Sequence, residues 1–220
     1  MPPPHQKRPN KKRRLEVAAA ASDSDASDSD NTANQQPDLE VYTLGTDIYF
    51  QCDVTQKSIF KLTEQVKKLE TRLLTKAIEL PGYKPSIRIF IRTDGGDIHA
   101  GFSAMDHLLN SKLKITTIAD GLCASAGTLM LLGGRKRQMR KHSFVLIHQL
   151  RSCFWGKYTE LQDEMTICDQ LMTMLKSAYN EHTNIPSKKL KELMKHDVYL
   201  TADECLEYGI VHSLACLDTA

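Results

Sequence analysis

The chain is predicted to fold as an α/β protein of successive strand–helix units with parallel strands, preceded by a disordered N-terminal tail. Three observations carry that prediction. β-Branched runs such as Ser86-Ile-Arg-Ile-Phe-Ile-Arg92 and Leu113-Lys-Ile-Thr-Thr-Ile-Ala119 alternate with segments of helical periodicity. Each run opens into a turn of small residues: Thr93-Asp94-Gly95-Gly96-Asp97 after the first, and Asp120 to Gly127 around Ser125 after the second. A repeated strand–turn–helix order demands right-handed crossovers, which bring both turns to the carboxyl edge of one sheet, where α/β sites lie.

Residues 1–40 lack the apolar content to build a core. Pro2-Pro-Pro4 is followed by a basic cluster at Lys7-Arg8 and Lys11-Lys-Arg-Arg14, an alanine patch, and the acidic run Ser22–Asp30. The basic cluster has the character of a nuclear-import address or a nucleic-acid contact, and the Ser/Asp run that of a phosphoacceptor segment. A charged leader that merely solvates is the competing reading.

From 41 to 220 a single domain is expected, since 220 residues at 41% hydrophobic content support one good-sized core. Asp47-Ile-Tyr-Phe50 reads as an entering strand. Between Thr55 and Ile78 the apolar positions Ile59, Leu62, Val66, Leu69 and Leu73 recur at helical spacing, and Pro81-Gly82 ends the helix. The strand 86–92 then enters the Gly95-Gly96 turn, which either presents free amides to a ligand or is an ordinary tight turn needing positive φ. A helix over His99–Leu109 and the strand 113–119 lead to Ser125. A serine on a strand-to-helix turn presents its hydroxyl outward with the next amide at a helix N-terminus; the alternative is that Ala-Ser-Ala-Gly serves close helix packing.

Gly133–Lys141 reads as a charged connector, and Ser143–Ile147 as a strand ending at His148-Gln149, again at the sheet edge. The segment Tyr158–His182 carries a broad stripe including Leu161, Met165, Cys168, Met172 and Leu175, wide enough for burial on more than one side, in the core or between subunits. Pro186–Met194 forms a second short helix, Thr201-Ala-Asp-Glu204 a capping box for the last helix, which Gly209 ends, and Ile210–Leu214 a closing strand.

Composition narrows the function classes. A formal charge of +2 argues against a whole-molecule nucleic-acid or membrane field. The six cysteines, Cys52, Cys123, Cys153, Cys168, Cys205 and Cys216, form no C-x-x-C pair, so neither a metal site nor a disulfide framework is expected. Cys123 is read as a packing residue or an oxidisable thiol. No run is long enough to span a bilayer, and an intracellular soluble protein, cytoplasmic or nuclear, is expected.

Four motifs in order resemble those of the Clp protease proteolytic subunit (ClpP), a serine peptidase of the ClpP/crotonase fold: Asp94-Gly95-Gly96 with Ala100-Gly101; Cys123-Ala-Ser125-Ala-Gly127; Val145-Leu-Ile-His148-Gln149; and His196-Asp197-Val-Tyr-Leu-Thr201 with Glu207–Val211. The resemblance spans roughly Tyr42 to Leu214. It implies stacked βαβ units with a long protruding helix, Ser125 as nucleophile, His148 as general base and acid, and Asp197 as the orienting carboxylate. It further implies an oxyanion hole from the Gly96 and Ala126 amides, no cofactor and no metal, polypeptide substrates, a homo-oligomer of stacked rings packed through the long helix, and an AAA+ unfoldase ATPase partner. Asp94 stands where the family has proline, Ala126 where methionine is frequent, and Leu150 where proline follows His-Gln. A specialised virus-type processing protease and a catalytically silent structural subunit on the same fold are the alternative functions. Crotonase-type acyl-CoA chemistry gives no reason for the Ser125, His148, Asp197 set.

Overall fold

The computed structural model describes residues 40–215; the expected tail, with its basic cluster and Ser/Asp run, lies outside them. A short hairpin, β1 (Val41–Leu44) and β2 (Asp47–Phe50), leads into α1 (Gln56–Glu79), β3 (Ser86–Thr93), α2 (Ile98–Leu109), β4 (Lys114–Ala124) and α3 (Ala126–Leu132). Then come β5 (Lys136–Met139), β6 (Phe144–Leu146), α4 (Tyr158–His182), α5 (Ser187–Leu193), β7 (Tyr199–Leu200), α6 (Ala202–Glu207) and β8 (Ser213–Leu214). The sheet order is β1-β2-β3-β4-β5-β8, with β6 alongside β4 and β7 alongside β6. Apart from the β1–β2 and β6–β7 pairs, every pairing is parallel, as the repeated strand–turn–helix order requires.

The helix and strand periodicities explain the core. Ile59, Leu62, Val66, Leu69 and Leu73 form the buried face of α1, each burial contributing about 1.5–3 kcal/mol relative to exposure. Ile87, Ile89, Ile91, Ile115 and Ala119 are fully buried in the central strands. The cap at Thr55 and the predicted capping box at Thr201, where Oγ1 accepts from Glu204 N, fix the starts of α1 and α6.

The strand β4 runs five residues past its expected end and serves two neighbours. Its first half, Thr116–Ala119, pairs with Lys136–Met139, and its second, Leu122–Ala124, pairs with Phe144–Leu146. Between them the register against β3 slips, from Ile91 opposite Ala119 to Thr93 opposite Cys123. Gly121 there takes φ 97°, which side chains avoid. Ser143 fills the fork: Gly121 N donates to its Oγ at 2.8 Å, and that Oγ donates to Ala119 O at 3.1 Å. The bend delivers Ser125 to the edge of the sheet.

One expectation is corrected and one is narrowed. Residues 133–141 contain β5 rather than a connector alone. Arg137 there is buried, with its guanidinium donating to the carbonyls of Ile210, Gly209 and His182 at 2.9, 2.9 and 2.6 Å. A charge in a segment read as a connector is accommodated in the interior because carbonyls surround it. In α4, only Leu175, Ala178 and Tyr179 are buried, whereas Met165, Ile167 and Met174 are 56%, 44% and 51% exposed. Its broad apolar stripe is therefore mostly not covered by the described residues, and only its C-terminal part lies in the core.

A buried carboxylate ties α1 to the turn before β4. Glu70 accepts from Ser111 Oγ, from Lys112 N at 2.9 Å and from Lys67 Nζ at 3.1 Å. Burial, the largest single influence, pushes its pKa up, but those donors together outweigh it and hold the group below its ordinary 4.5. Because the folded value is the lower one, the contribution is fully present above pH 4.5 and is lost as pH falls through the folded pKa. Glu70→Gln is expected to cost about 1–3 kcal/mol at neutral pH. Urea melts at neutral and acidic pH should show the gap between variant and wild type shrinking in acid. Among the described residues no helix is long and apolar enough to cross a membrane, and no group of three or more His, Cys, Asp or Glu is placed to hold a metal ion.

Candidate active site

The first half of the site is the turn after β3. Gly95 and Gly96 take φ 107° and 142°, and the space around each has no room for a side chain. A Cβ on Gly95 would lie 2.5 Å from Ser125 Cβ, and one on Gly96 would lie 2.3 Å from Val54 O. Backbone bonds pin the turn: Val54 N donates to Gly95 O and Asp97 N to Val54 O, both at 2.7 Å. Both bonds bypass the Gly96 N–H, which has no acceptor among the described residues. Glycine is therefore required here for close approach as well as for φ. Asp94, which stands where the family has proline, is exposed and is not among the residues lining the site cavity.

The second half is the turn between β4 and α3. Ser125 has φ 54° and ψ −126°, the only positive φ outside glycine among the described residues. Such a conformation costs about 1–3 kcal/mol and persists only where its surroundings over-determine it. They do: Ser125 N donates to Leu146 O at 2.9 Å, and Ser125 O accepts from Thr128 N at 2.9 Å and Thr128 Oγ1 at 2.6 Å. Gly127 lets α3 sit against β3, since a Cβ there would fall 2.2 Å from Thr93 Cγ2. The Ala126 N–H, first in α3, has no acceptor among the described residues.

Ser125, Ala126, Gly96 and His148 line one cavity of about 360 Å³. His148 lies two residues past the end of β6, half-buried, and the neighbouring Gln149 N is fixed to Met194 O at 2.9 Å. No hydrogen bond joins Ser125 Oγ to His148 among the described residues, an opening usual in sites without substrate. Asp197 is brought to the other side of the imidazole but not to bonding distance: its Oδ1 lies 3.9 Å from His148 Nδ1. Its Oδ2 instead accepts from Arg151 Nη2 at 3.1 Å. The five residues predicted from sequence thus converge, with the carboxylate turned aside.

Sequence reading missed three participants. Arg151 gave a faint signal, lying three residues past His148. The α4 wall of the cavity, including Glu164, Cys168 and Leu171, gave none, because which face of a helix meets the site is a tertiary property. Tyr179, fully buried, meets Thr128 through a short hydroxyl contact behind Ser125. Cys123 resolves as a packing residue: it is fully buried, and burial, with Cys205 adding to it, pushes its thiol far above the ordinary range.

Residues 46–216 match the family model described as Clp protease. The ATP-dependent Clp protease proteolytic subunit of Deinococcus radiodurans is 27% identical over 169 residues, covering 75% of this chain and 82% of that protein. ATP-dependent Clp protease proteolytic subunit 2 of Bacillus licheniformis is 32% identical over 130 residues, covering 58% and 68%. Among solved structures, a ClpP1 mutant from Listeria monocytogenes superposes with a TM-score of 0.67 at 20% identity, covering 79% of this chain and 92% of that one. The structural likeness speaks for the fold.

Proposed function

The chain belongs to the Clp protease family and is a serine-type peptidase, and on that premise we propose that it hydrolyses peptide bonds through an acyl-enzyme on Ser125, with His148 as base and Asp197 as its orienting carboxylate. The observation that carries this reading is the strained backbone of Ser125, in a cavity shared with His148 and with Gly96 and Ala126, whose amides have no acceptor among the described residues. His148 takes the Oγ proton as the oxygen adds to the scissile carbonyl carbon. The carbonyl oxygen gains the negative charge and is received by the Gly96 and Ala126 N–H groups. Collapse breaks the C–N bond, and the amine leaves with the proton from His148. Water then repeats the sequence on the ester, releasing the acid and restoring Ser125.

Asp197 supports this cycle once it exchanges Arg151 for His148. Closing 3.9 Å to an ordinary hydrogen bond is a movement of about 1 Å. The competing pair is well exposed, 79% on Arg151 and 58% on Asp197. Such pairs hold by about 0–1 kcal/mol, so the exchange costs little.

Substrates are extended polypeptides laid beside the Gly95-Gly96 turn, held through main-chain bonds with little sequence preference. The relatives' names attach them to an ATP-dependent protease. By that likeness this chain works as the proteolytic subunit beside an AAA+ unfoldase ATPase. The exposed stripe of α4 suits packing between stacked rings.

The test is labelling with a fluorophosphonate probe. Wild type is expected to label, Ser125→Ala to lose the label entirely, and His148→Ala to label far more slowly. Undiminished labelling of Ser125→Ala would overturn the assignment.

A further inference from the structure

A serine forced to φ 54° reverts to a relaxed backbone unless its peptide groups are held, so what holds the Ser125 carbonyl bears on catalysis. That carbonyl accepts from Thr128 twice, through N at 2.9 Å and Oγ1 at 2.6 Å. A threonine hydroxyl has one proton, and Thr128 gives it to Ser125 O. In its contact with Tyr179 OH, therefore, the tyrosine must be the donor. Burial, the largest influence, keeps that phenol protonated, since its pKa is pushed far above the ordinary range. The hydroxyls run in one direction: Tyr179 to Thr128, and Thr128 to the carbonyl of Ser125.

The two ends of this relay belong to different elements. Thr128 lies in α3 and is fully buried; Tyr179 is one of only three buried residues of the 25-residue α4 and lines the site cavity. In a dry interior each bond polarises the next, so the relay grips the carbonyl more firmly than an isolated threonine. We propose that Thr128 and Tyr179 are positioning residues, a hydroxyl relay through which α4 holds Ser125 in its reactive backbone conformation. The inference rests on Ser125 being the nucleophile. Neither side chain touches the reacting atoms; both act through the Ser125 peptide.

The test compares Tyr179→Phe, Thr128→Val and Thr128→Ser in the full chain, assayed on a fluorogenic peptide well below each variant's melting temperature. Tyr179→Phe keeps the buried ring and deletes one hydroxyl; kcat is expected to fall roughly tenfold with KM within about twofold, and fluorophosphonate labelling of Ser125 to slow in step. Thr128→Val breaks both links, with an expected loss of about 100-fold, the scale of a misplaced reacting group. Thr128→Ser restores the hydroxyl and should return kcat to within about threefold of wild type. If Thr128→Val does not fold, Tyr179→Phe decides alone. A merely structural pair would lower the melting temperature and leave kcat and the labelling rate unchanged, which overturns the proposal while Ser125→Ala stays inert. Turnover and labelling that persist in Ser125→Ala instead overturn the nucleophile assignment, and the relay with it.

Discussion

Asp197→Asn is expected to lower kcat about 10⁴-fold with KM little changed, the loss that follows when a triad imidazole is left in the wrong tautomer. In the proposed mechanism His148 needs a proton on Nδ1 so that Nε2 is free to take one from Ser125, and a carboxylate both fixes that tautomer and stabilises the imidazolium. The present separation of 3.9 Å, with Arg151 on the other carboxylate oxygen, makes the dependence sharper. Arg151→Ala removes the competitor and should raise kcat severalfold, bounded by the about 0–1 kcal/mol that an exposed pair contributes. Steady-state kinetics of the two variants check both signs. Near-normal turnover in Asp197→Asn would mean that another carboxylate, Glu164 of the cavity wall being the candidate, orients His148.

Gly96→Ala should lower kcat about 10²- to 10³-fold, the cost of one oxyanion donor. The added Cβ would meet Val54 O at 2.3 Å, a backbone atom held by its own hydrogen bond from Asp97 N. Neither side yields cheaply, and φ 142° already disfavours any L side chain. The turn must shift, taking the Gly96 N–H away from the place where the proposed mechanism develops charge. A main-chain donor cannot be deleted by side-chain substitution, so displacement is the available probe. Folding is monitored by circular dichroism, because the expected signature is lost kcat in a chain that retains its sheet.

Much of this architecture was legible because local and global signals agree. Ile59 to Leu73 repeat at helical spacing and do line the core, Thr201 to Glu204 form the capping box they spell, and both glycine-rich turns stand at the end of parallel strands. That Ser125, His148 and Gly96 line one cavity was legible because small residues and a histidine at strand ends fall on one edge by topology alone. What escaped was set by partners distant in sequence. Arg137 looks like surface charge until carbonyls from 72 and 73 residues away surround it. The apolar stripe of α4 lies in the core at Tyr179 and outside it at Met165, since periodicity names a face without naming what covers it. Asp197 was located by motif, but its attachment to Arg151 depends on side-chain direction, which no spacing encodes.

The forked strand β4 has a consequence for inheritance of damage along the chain. Before Gly121 its residues are stitched between β3 and β5, and substitutions there, at Ile115 or Ile118, subtract from folding stability and so from abundance. After Gly121 the strand is held by β6, which also accepts the Ser125 N–H through Leu146. Changes there act also on the position of Ser125, the nucleophile of the proposed mechanism. One continuous strand thus carries two separable burdens, quantity of enzyme in its first half and quality of enzyme in its second.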